Sequence, residues 1–328
     1  MQSIYYDRAR DAVDALRLVQ QDGARFIGGG TNLLDLMKGD IEHPVRLVDI
    51  THAGLDRIEE LPGGGLRIGA GVRNADAARH ALVRERYPLL AQAMLSGASA
   101  QLRNMATMGG NLMQRTRCPY FTDTAFSHCN KRDPGSGCDA RQGYQRMHAI
   151  LGASQACVAV NPSDMSVALA ALDAVVLLRG PQGGREVALA DFHRLPGDTP
   201  QRDTVLQPGE LIVAIDLPPS VMARHSHYLK LRDRASYAFA LVSVAAALDM
   251  DGRTVRDARL ALGGVAHKPW RRREAESLLQ GRPLDEAQCR AAAARLLDGA
   301  QPLEGNRFKV ELAQRAIVRT LQIAGEGA

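Results

Sequence analysis

With 328 residues the chain is long enough for two or three domains with cores of their own, and 45% apolar and 23% charged residues are ordinary for a globular protein. The net charge of +5 is spread along the chain and interleaved with acids, and only 4% of residues are aromatic, which argues against a nucleic-acid partner. The longest nearly uninterrupted apolar run, Ala238 to Leu248, is too short for a membrane insertion, and Met1-Gln2-Ser3-Ile4-Tyr5-Tyr6 has neither an apolar export core nor twin arginines.

Val13, Leu16 and Val19 share helical spacing and predict a helix over 11–22, stopped by Gly23. Ala24 to Ile27 reads as a strand leading into Gly28-Gly29-Gly30-Thr31-Asn32; a short helix over Leu33 to Met37 and a strand over Pro44 to Ile50 complete a βαβ-like unit. Residues 57–60 and 66–70 flank Leu61-Pro62-Gly63-Gly64-Gly65 as a hairpin. Helices are expected at 74–86 and 88–96, then at 164–172, with strands at 174–178 and 211–217 and a turn at Pro181-Gln182-Gly183-Gly184. Pro218-Pro219-Ser220 breaks both helix and sheet and marks a linker. Strands near 227–232 and 255–262 and helices near 271–280, 285–298 and 307–323 make the last section α+β.

Four of the five cysteines, Cys118, Cys129, Cys138 and Cys157, fall within one forty-residue stretch. Four thiolates can hold one iron–sulfur cluster or one structural zinc, and the spacing leaves disulfides or unrelated buried thiols open as well. No Cys-x-x-Cys pair is present, so a zinc ribbon fits poorly. Arg115, Arg117, Lys131, Arg132, Arg141 and Arg146 outnumber the acids around them, and cations would stabilise a negatively charged cluster. Cys289 stands alone and reads as inert, while His52, His128 and His148 are scattered and read as surface or packing residues. No nucleophile–base arrangement stands out.

Glycines after a strand let backbone N–H groups approach phosphate oxygens. A Rossmann crossover is disfavoured, because Leu33 stands where a third fingerprint glycine belongs and the following helix is short. A second glycine segment, Thr107-Met108-Gly109-Gly110-Asn111, suggests a clamp on one pyrophosphate from two sides. Asp164 could accept from a ribose or a loop backbone, or cap a helix together with Ser163.

Phe26-Ile27-Gly28-Gly29-Gly30-Thr31-Asn32-Leu33-Leu34 and Thr107-Met108-Gly109-Gly110-Asn111 resemble the two flavin-pyrophosphate loops of the FAD subunits of the molybdenum hydroxylases. Residues 228–237 and 261–266 resemble that family's C-terminal domain. The stretch holding Cys118-Pro119-Tyr120, Cys129-Asn130-Lys131-Arg132, Gly137-Cys138 and Cys157 resembles the insert of the flavin subunits of periplasmic aldehyde oxidoreductases, where it carries a 4Fe–4S cluster. The β-subunit of 4-hydroxybenzoyl-CoA reductases has a comparable insert.

The resemblance implies an α+β fold: a two-subdomain FAD-binding fold of the PCMH/vanillyl-alcohol-oxidase type over 1–217, divided near 52, with an iron–sulfur insert at about 113–160. A C-terminal α+β domain of the CO-dehydrogenase flavoprotein type would follow at 223–326. It implies FAD on residues 26–34 and 107–111, extended to Asp164, with Ile212 as an apolar residue near the flavin and Lys230 as a cation favouring the reduced ring. Cys118, Cys129, Cys138 and Cys157 become the cluster ligands. It further implies a heterotrimer with a molybdenum-cofactor subunit and a 2Fe–2S subunit, an external electron acceptor, and export to the periplasm docked on a signal-bearing partner. A xanthine dehydrogenase-like complex, a self-sufficient flavoenzyme and a zinc-stabilised binding module are the other readings. Cys118 lies seven positions after Asn111, a reach of roughly 25 Å at most, so cluster and flavin would be neighbours.

Overall fold

The computed structural model describes residues 3–327, so the first two residues of the N-terminal export reading lie outside the described residues. Strands β1 (Tyr5–Arg8), β2 (Ala24–Ile27) and β3 (Arg46–Asp49) form a parallel sheet in the order β1-β3-β2. The expected helices are there at Ala12–Leu18 and Leu33–Lys38. The first begins where the Asp11 side chain accepts from the Asp14 amide, and it stops before the polar residues ahead of Gly23. β1 was not expected: its four residues show no alternation, and Tyr5 and Tyr6 remain exposed.

A five-stranded antiparallel sheet follows. Its strands are β4 (Ile58–Glu60), β5 (Leu66–Gly69), β6 (Val175–Gly180), β7 (Gly183–Ala188) and β8 (Leu211–Leu217), in the order β4-β5-β8-β6-β7. The hairpin and β8 stand where the pattern placed them. β7 does not: the expected turn at 181–184 is shorter, and the polar Gly-Gly-Arg-Glu run is an exposed edge strand. The helix expected over 74–86 is two helices, Asn74–Arg79 and Ala81–Arg86, because His80 is extended (φ −62°, ψ 133°). With Pro88–Ser96 and Asp164–Ala171 they cover the sheet and enclose the largest core, around Leu66, Ile68, Leu89, Leu90 and Ile215.

Beyond Pro218-Pro219-Ser220 come β9 (Ser226–Leu231), β10 (Val242–Asp251), β11 (Thr254–Gly263) and β12 (Trp270–Arg271), ordered β12-β11-β10-β9. Helices Arg273–Ser277, Glu286–Leu296 and Phe308–Glu326 back this sheet. β10 is the apolar run noted in the sequence. Ala245 and Ala247 enter the core beneath the five-stranded sheet, whereas Val242, Val244, Ala246 and Leu248 enter the C-terminal core. A strand buried on both faces shows no polar alternation, so periodicity could not reveal it. Cys289 is fully buried in the C-terminal core, away from the other thiols. Among the described residues, no helix is long and apolar enough to cross a membrane.

Candidate functional site

The two glycine segments meet. A Cβ on Gly29 would stand 1.8 Å from the Met105 carbonyl oxygen, and one on Gly28 would stand 2.9 Å from Thr107 Oγ1. Gly30 follows in the left-handed region (φ 72°), which turns the chain out of β2 at little cost. The second segment differs from the expected loop: Met108–Leu112 is a short helical turn, capped where Thr107 Oγ1 accepts from the Gly110 amide at 3.1 Å. The Gly109 amide donates to the Ala70 carbonyl at 2.9 Å, tying this turn to the end of β5. Asn32 ends the first segment. Its Oδ1 accepts from the Arg115 amide at 2.8 Å, and its buried Nδ2 has no partner. A buried donor left unpaired costs about 1–3 kcal/mol, so an acceptor on a bound ligand would stabilise this position.

The apolar members play a different part. Ile27 and Met108 are buried in cores, and Phe26 and Leu33 pack against others, so what this row offers a ligand is mainly backbone. Leu34 is exposed, with its amide on the Gly30 carbonyl. Ile212 lies on β8 within the main core and is 5% exposed.

Asp164 and Lys230 come together as a buried ion pair, Nζ to Oδ2 at 2.7 Å, with side chains 7% and 4% exposed. The second carboxylate oxygen accepts from the Tyr228 hydroxyl at 2.7 Å, and Lys230 also donates to the Ser96 carbonyl. Burial and the Asp164 charge hold the Tyr228 phenol well above its usual range, so it stays a donor. Lys230 is therefore neither a surface lysine nor an unbalanced charge. Ser163, not Asp164, caps the helix, accepting from the Ser166 amide and donating to Asn111 Oδ1 at 2.7 Å. That bond links the 107–111 turn to the Asp164 helix.

The cysteine stretch has little regular structure beyond Pro119–Thr122 and a turn at Asp139–Arg141. Cys129 and Cys138 oppose each other in an isolated bridge. Asn130 Oδ1 accepts from the Gly135 and Gly137 amides, both glycines at positive φ, and Asn130 Nδ2 donates to the Ala156 carbonyl beside Cys157. All four thiols join one apolar cluster with Leu36, Tyr120, Phe121, Ala140 and Val158. Burial pushes the Cys118 thiol up to about 12 and Cys157 to about 11, so a metal would have to displace their protons. Among the described residues, no three His, Cys, Asp or Glu converge as ligands of a single ion.

Of the surrounding cations, several are engaged locally. Buried Lys131 donates to Asp203 and the Pro200 carbonyl, Arg115 pairs with Glu42 and Asp203, and Arg132 binds the Tyr120 and Phe121 carbonyls. Arg117 is the exception: its buried Nε has no partner, and its guanidinium sits 5.4 Å from the Phe239 ring. His148 is a packing residue with a specific partner. It is 1% exposed, its Nε2 lies 3.1 Å from Cys118 Sγ, and burial lowers the imidazole to about 4, so it is neutral.

Between the Cys118 thiol and Asp164 of the ion pair lies a narrow cleft. Cys118 and His148 line it together with Ser163, Asp164, Arg117, and Phe239 and Ser243 from the C-terminal domain. Phe239 and Ser243 carry no sequence signal of a site, since they reach it only through the packing of β10 across the chain.

Residues 2–220 match the FAD binding domain in molybdopterin dehydrogenase, and residues 227–324 match the CO dehydrogenase flavoprotein C-terminal domain. The chain belongs to the FAD-binding subunits of the molybdenum hydroxylases. It is 52% identical to the aldehyde oxidoreductase FAD-binding subunit of Escherichia coli K12, over 98% of each chain. It is 27% identical to the carbon monoxide dehydrogenase medium chain of Afipia carboxidovorans, over 98% of this chain and 96% of that one. Carbon monoxide dehydrogenase from Hydrogenophaga pseudoflava superposes with a TM-score of 0.77 at 25% identity, covering 98% and 97% of the two chains. Quinoline 2-oxidoreductase from Pseudomonas putida 86 gives 0.76 at 25% identity, covering 99% and 98%. The chain is thus an oxidoreductase subunit whose FAD-binding domain is followed by a flavoprotein C-terminal domain, and its overall fold is the α+β one implied by its motifs. The cradle fits FAD: two segments held backbone to backbone, and an unpaired amide donor at Asn32.

Proposed function

We propose that this subunit carries a 4Fe–4S cluster as well as FAD, and serves electron transfer in a heterotrimeric aldehyde oxidoreductase. A molybdenum-cofactor subunit would oxidise the aldehyde, and a 2Fe–2S subunit would deliver the electrons here for release to an external acceptor. The observation that carries this reading is the gathering of Cys118, Cys129, Cys138 and Cys157 in one apolar cluster, three of them buried, with Cys118 lining the cleft that reaches Asp164. The 52% identity to an aldehyde oxidoreductase subunit supports the substrate class.

Bound FAD takes electrons singly and gives them up as a pair, and an iron–sulfur cluster passes them one at a time. The chain supplies the setting. Residues 28–32 would present backbone N–H groups and the Asn32 amide to the pyrophosphate, while the 107–111 turn, whose amides are bonded within the chain, braces them from the side of Gly28. The apolar cluster shields Cys118, Cys129 and Cys157 from water. Zinc is the less suitable occupant, because the four cysteines include no Cys-x-x-Cys pair. Anaerobically purified complex should contain about four irons in this subunit, with a broad shoulder near roughly 400 nm beside the flavin bands. Stoichiometric zinc without iron would overturn the assignment.

We also propose that the subunit folds with its cofactors in the cytoplasm and crosses the membrane docked to a signal-bearing partner, because exposed cluster thiolates are prone to oxidation outside. Fractionation of cells whose partner lacks its signal peptide tests this: the subunit should then stay inside.

A further inference from the structure

Among the described residues, His148 is the side chain hydrogen-bonded to a cysteine sulfur, with Nε2 at 3.1 Å from Cys118 Sγ. A thiolate holding iron has no proton to give, so the hydrogen between the two groups must sit on Nε2. The other tautomer would set the Nε2 lone pair against those of the thiolate.

The position of this ring is determined from the opposite end of the chain. Asn306 Nδ2 donates to the carbonyls of His148 and Ala149, at 3.1 and 3.2 Å. Lys309 Nζ donates to the carbonyls of His148 and Gly264, at 2.8 and 2.5 Å. Both side chains are fully buried, and neither bonds to a carboxylate. His148 and Cys118 also line the cleft that reaches Ser163 and Asp164. Cys118 is therefore the thiol that this cleft touches.

We infer that His148 sets the potential of the cluster: in the loaded subunit its Nε2–H donates to the Cys118 thiolate, while Asn306 and Lys309 position the loop that carries it. This rests on the reading that the four cysteines hold a 4Fe–4S cluster. A hydrogen bond to a ligand sulfur draws charge from it and favours the more negative reduced form, raising the reduction potential.

The test is an anaerobic redox titration of the purified complex, followed by electron paramagnetic resonance, for wild type, His148→Leu and His148→Gln. The leucine variant should retain iron and FAD but show a more negative cluster potential, with the flavin potential unmoved. Glutamine, which keeps an N–H donor, should recover part of the shift. An iron-loaded leucine variant with the wild-type potential overturns the inference. A second measurement does not depend on the variants holding iron. In wild-type complex labelled with ¹⁵N-histidine, the reduced cluster should show a histidine nitrogen coupling in pulsed resonance spectra; its absence refutes the hydrogen bond. An iron-free wild-type complex would instead refute the cluster itself.

Discussion

At Gly29 the sequence and the structure agree on the residue but differ on the reason. A bare backbone after β2 suits phosphate approach, yet the atom a Cβ would meet is the Met105 carbonyl oxygen at 1.8 Å. The glycine first lets the two halves of the cradle touch. Gly29→Val should therefore separate the two segments and yield flavin-free, less stable protein. Gly110→Val, whose Cβ would press on Thr107 Oγ1 at 2.9 Å, should lose FAD only in part. The flavin-to-protein absorbance ratio of the purified variants reads this directly, and full occupancy in both would remove the clamp. Asp164 and Lys230 make a second case. Cutting one member of a buried pair strands the other, at a cost of roughly 3–5 kcal/mol. Asp164→Ala and Lys230→Met should each fall in that range in urea unfolding. The double variant Asp164→Leu/Lys230→Met should recover much of the loss; additive losses would show that the pair is not coupled.

The elements divide by how locally they are determined. β2, the 58–69 hairpin, β8 and the helix Pro88–Ser96 were legible because turn residues and periodicity are written in neighbouring positions. β7, an exposed polar edge, and β10, buried on both sides, lack the alternation that would announce them. The cysteine stretch is the extreme case: helix Pro119–Thr122 and one short turn are its regular pieces, so side-chain bonds and the apolar cluster hold its shape. Serine at any of Cys118, Cys129, Cys138 or Cys157 should lower iron content and make residues 113–160 the first site of limited proteolysis. Cys289→Ser should leave the iron unchanged, at a stability cost of about 1–3 kcal/mol for burying a hydroxyl. Iron loss from Cys289→Ser would show that the ligand set is misassigned.

Across the molecule, the C-terminal domain is joined to the rest by polar contacts, partly exposed at Asp173 and buried at Lys309. Asp173, at positive φ, receives Arg259, Arg271 and Arg273 from the C-terminal section. Lys309 crosses the same divide, and burial lowers its amine to about 7. A neutral amine has two N–H bonds, which suit the two carbonyls it meets. The lowered value gives a signed prediction. Between about pH 7 and the ordinary lysine value of 10.5, the unfolded chain holds a proton that the native one lacks, so stability rises with pH across that window. Below about 7 both states are protonated and this contribution levels off. Lys309→Met should flatten the slope of unfolding free energy between pH 7 and 10; an unchanged slope would show that Lys309 stays charged.

The sequence by itself determined the glycine segments, the thiols and most elements of the fold, because backbone freedom, sulfur chemistry and periodicity are properties of residues and their neighbours. The tertiary structure decided that Met105 closes on Gly29, that Lys230 is neutralised by Asp164, and that His148 stands against Cys118 under the hold of Lys309. Those pairings join residues as much as 161 positions apart. Side-chain identity does not encode such distances; they follow from which cores β10 separates and which surfaces the packed sheets bring face to face.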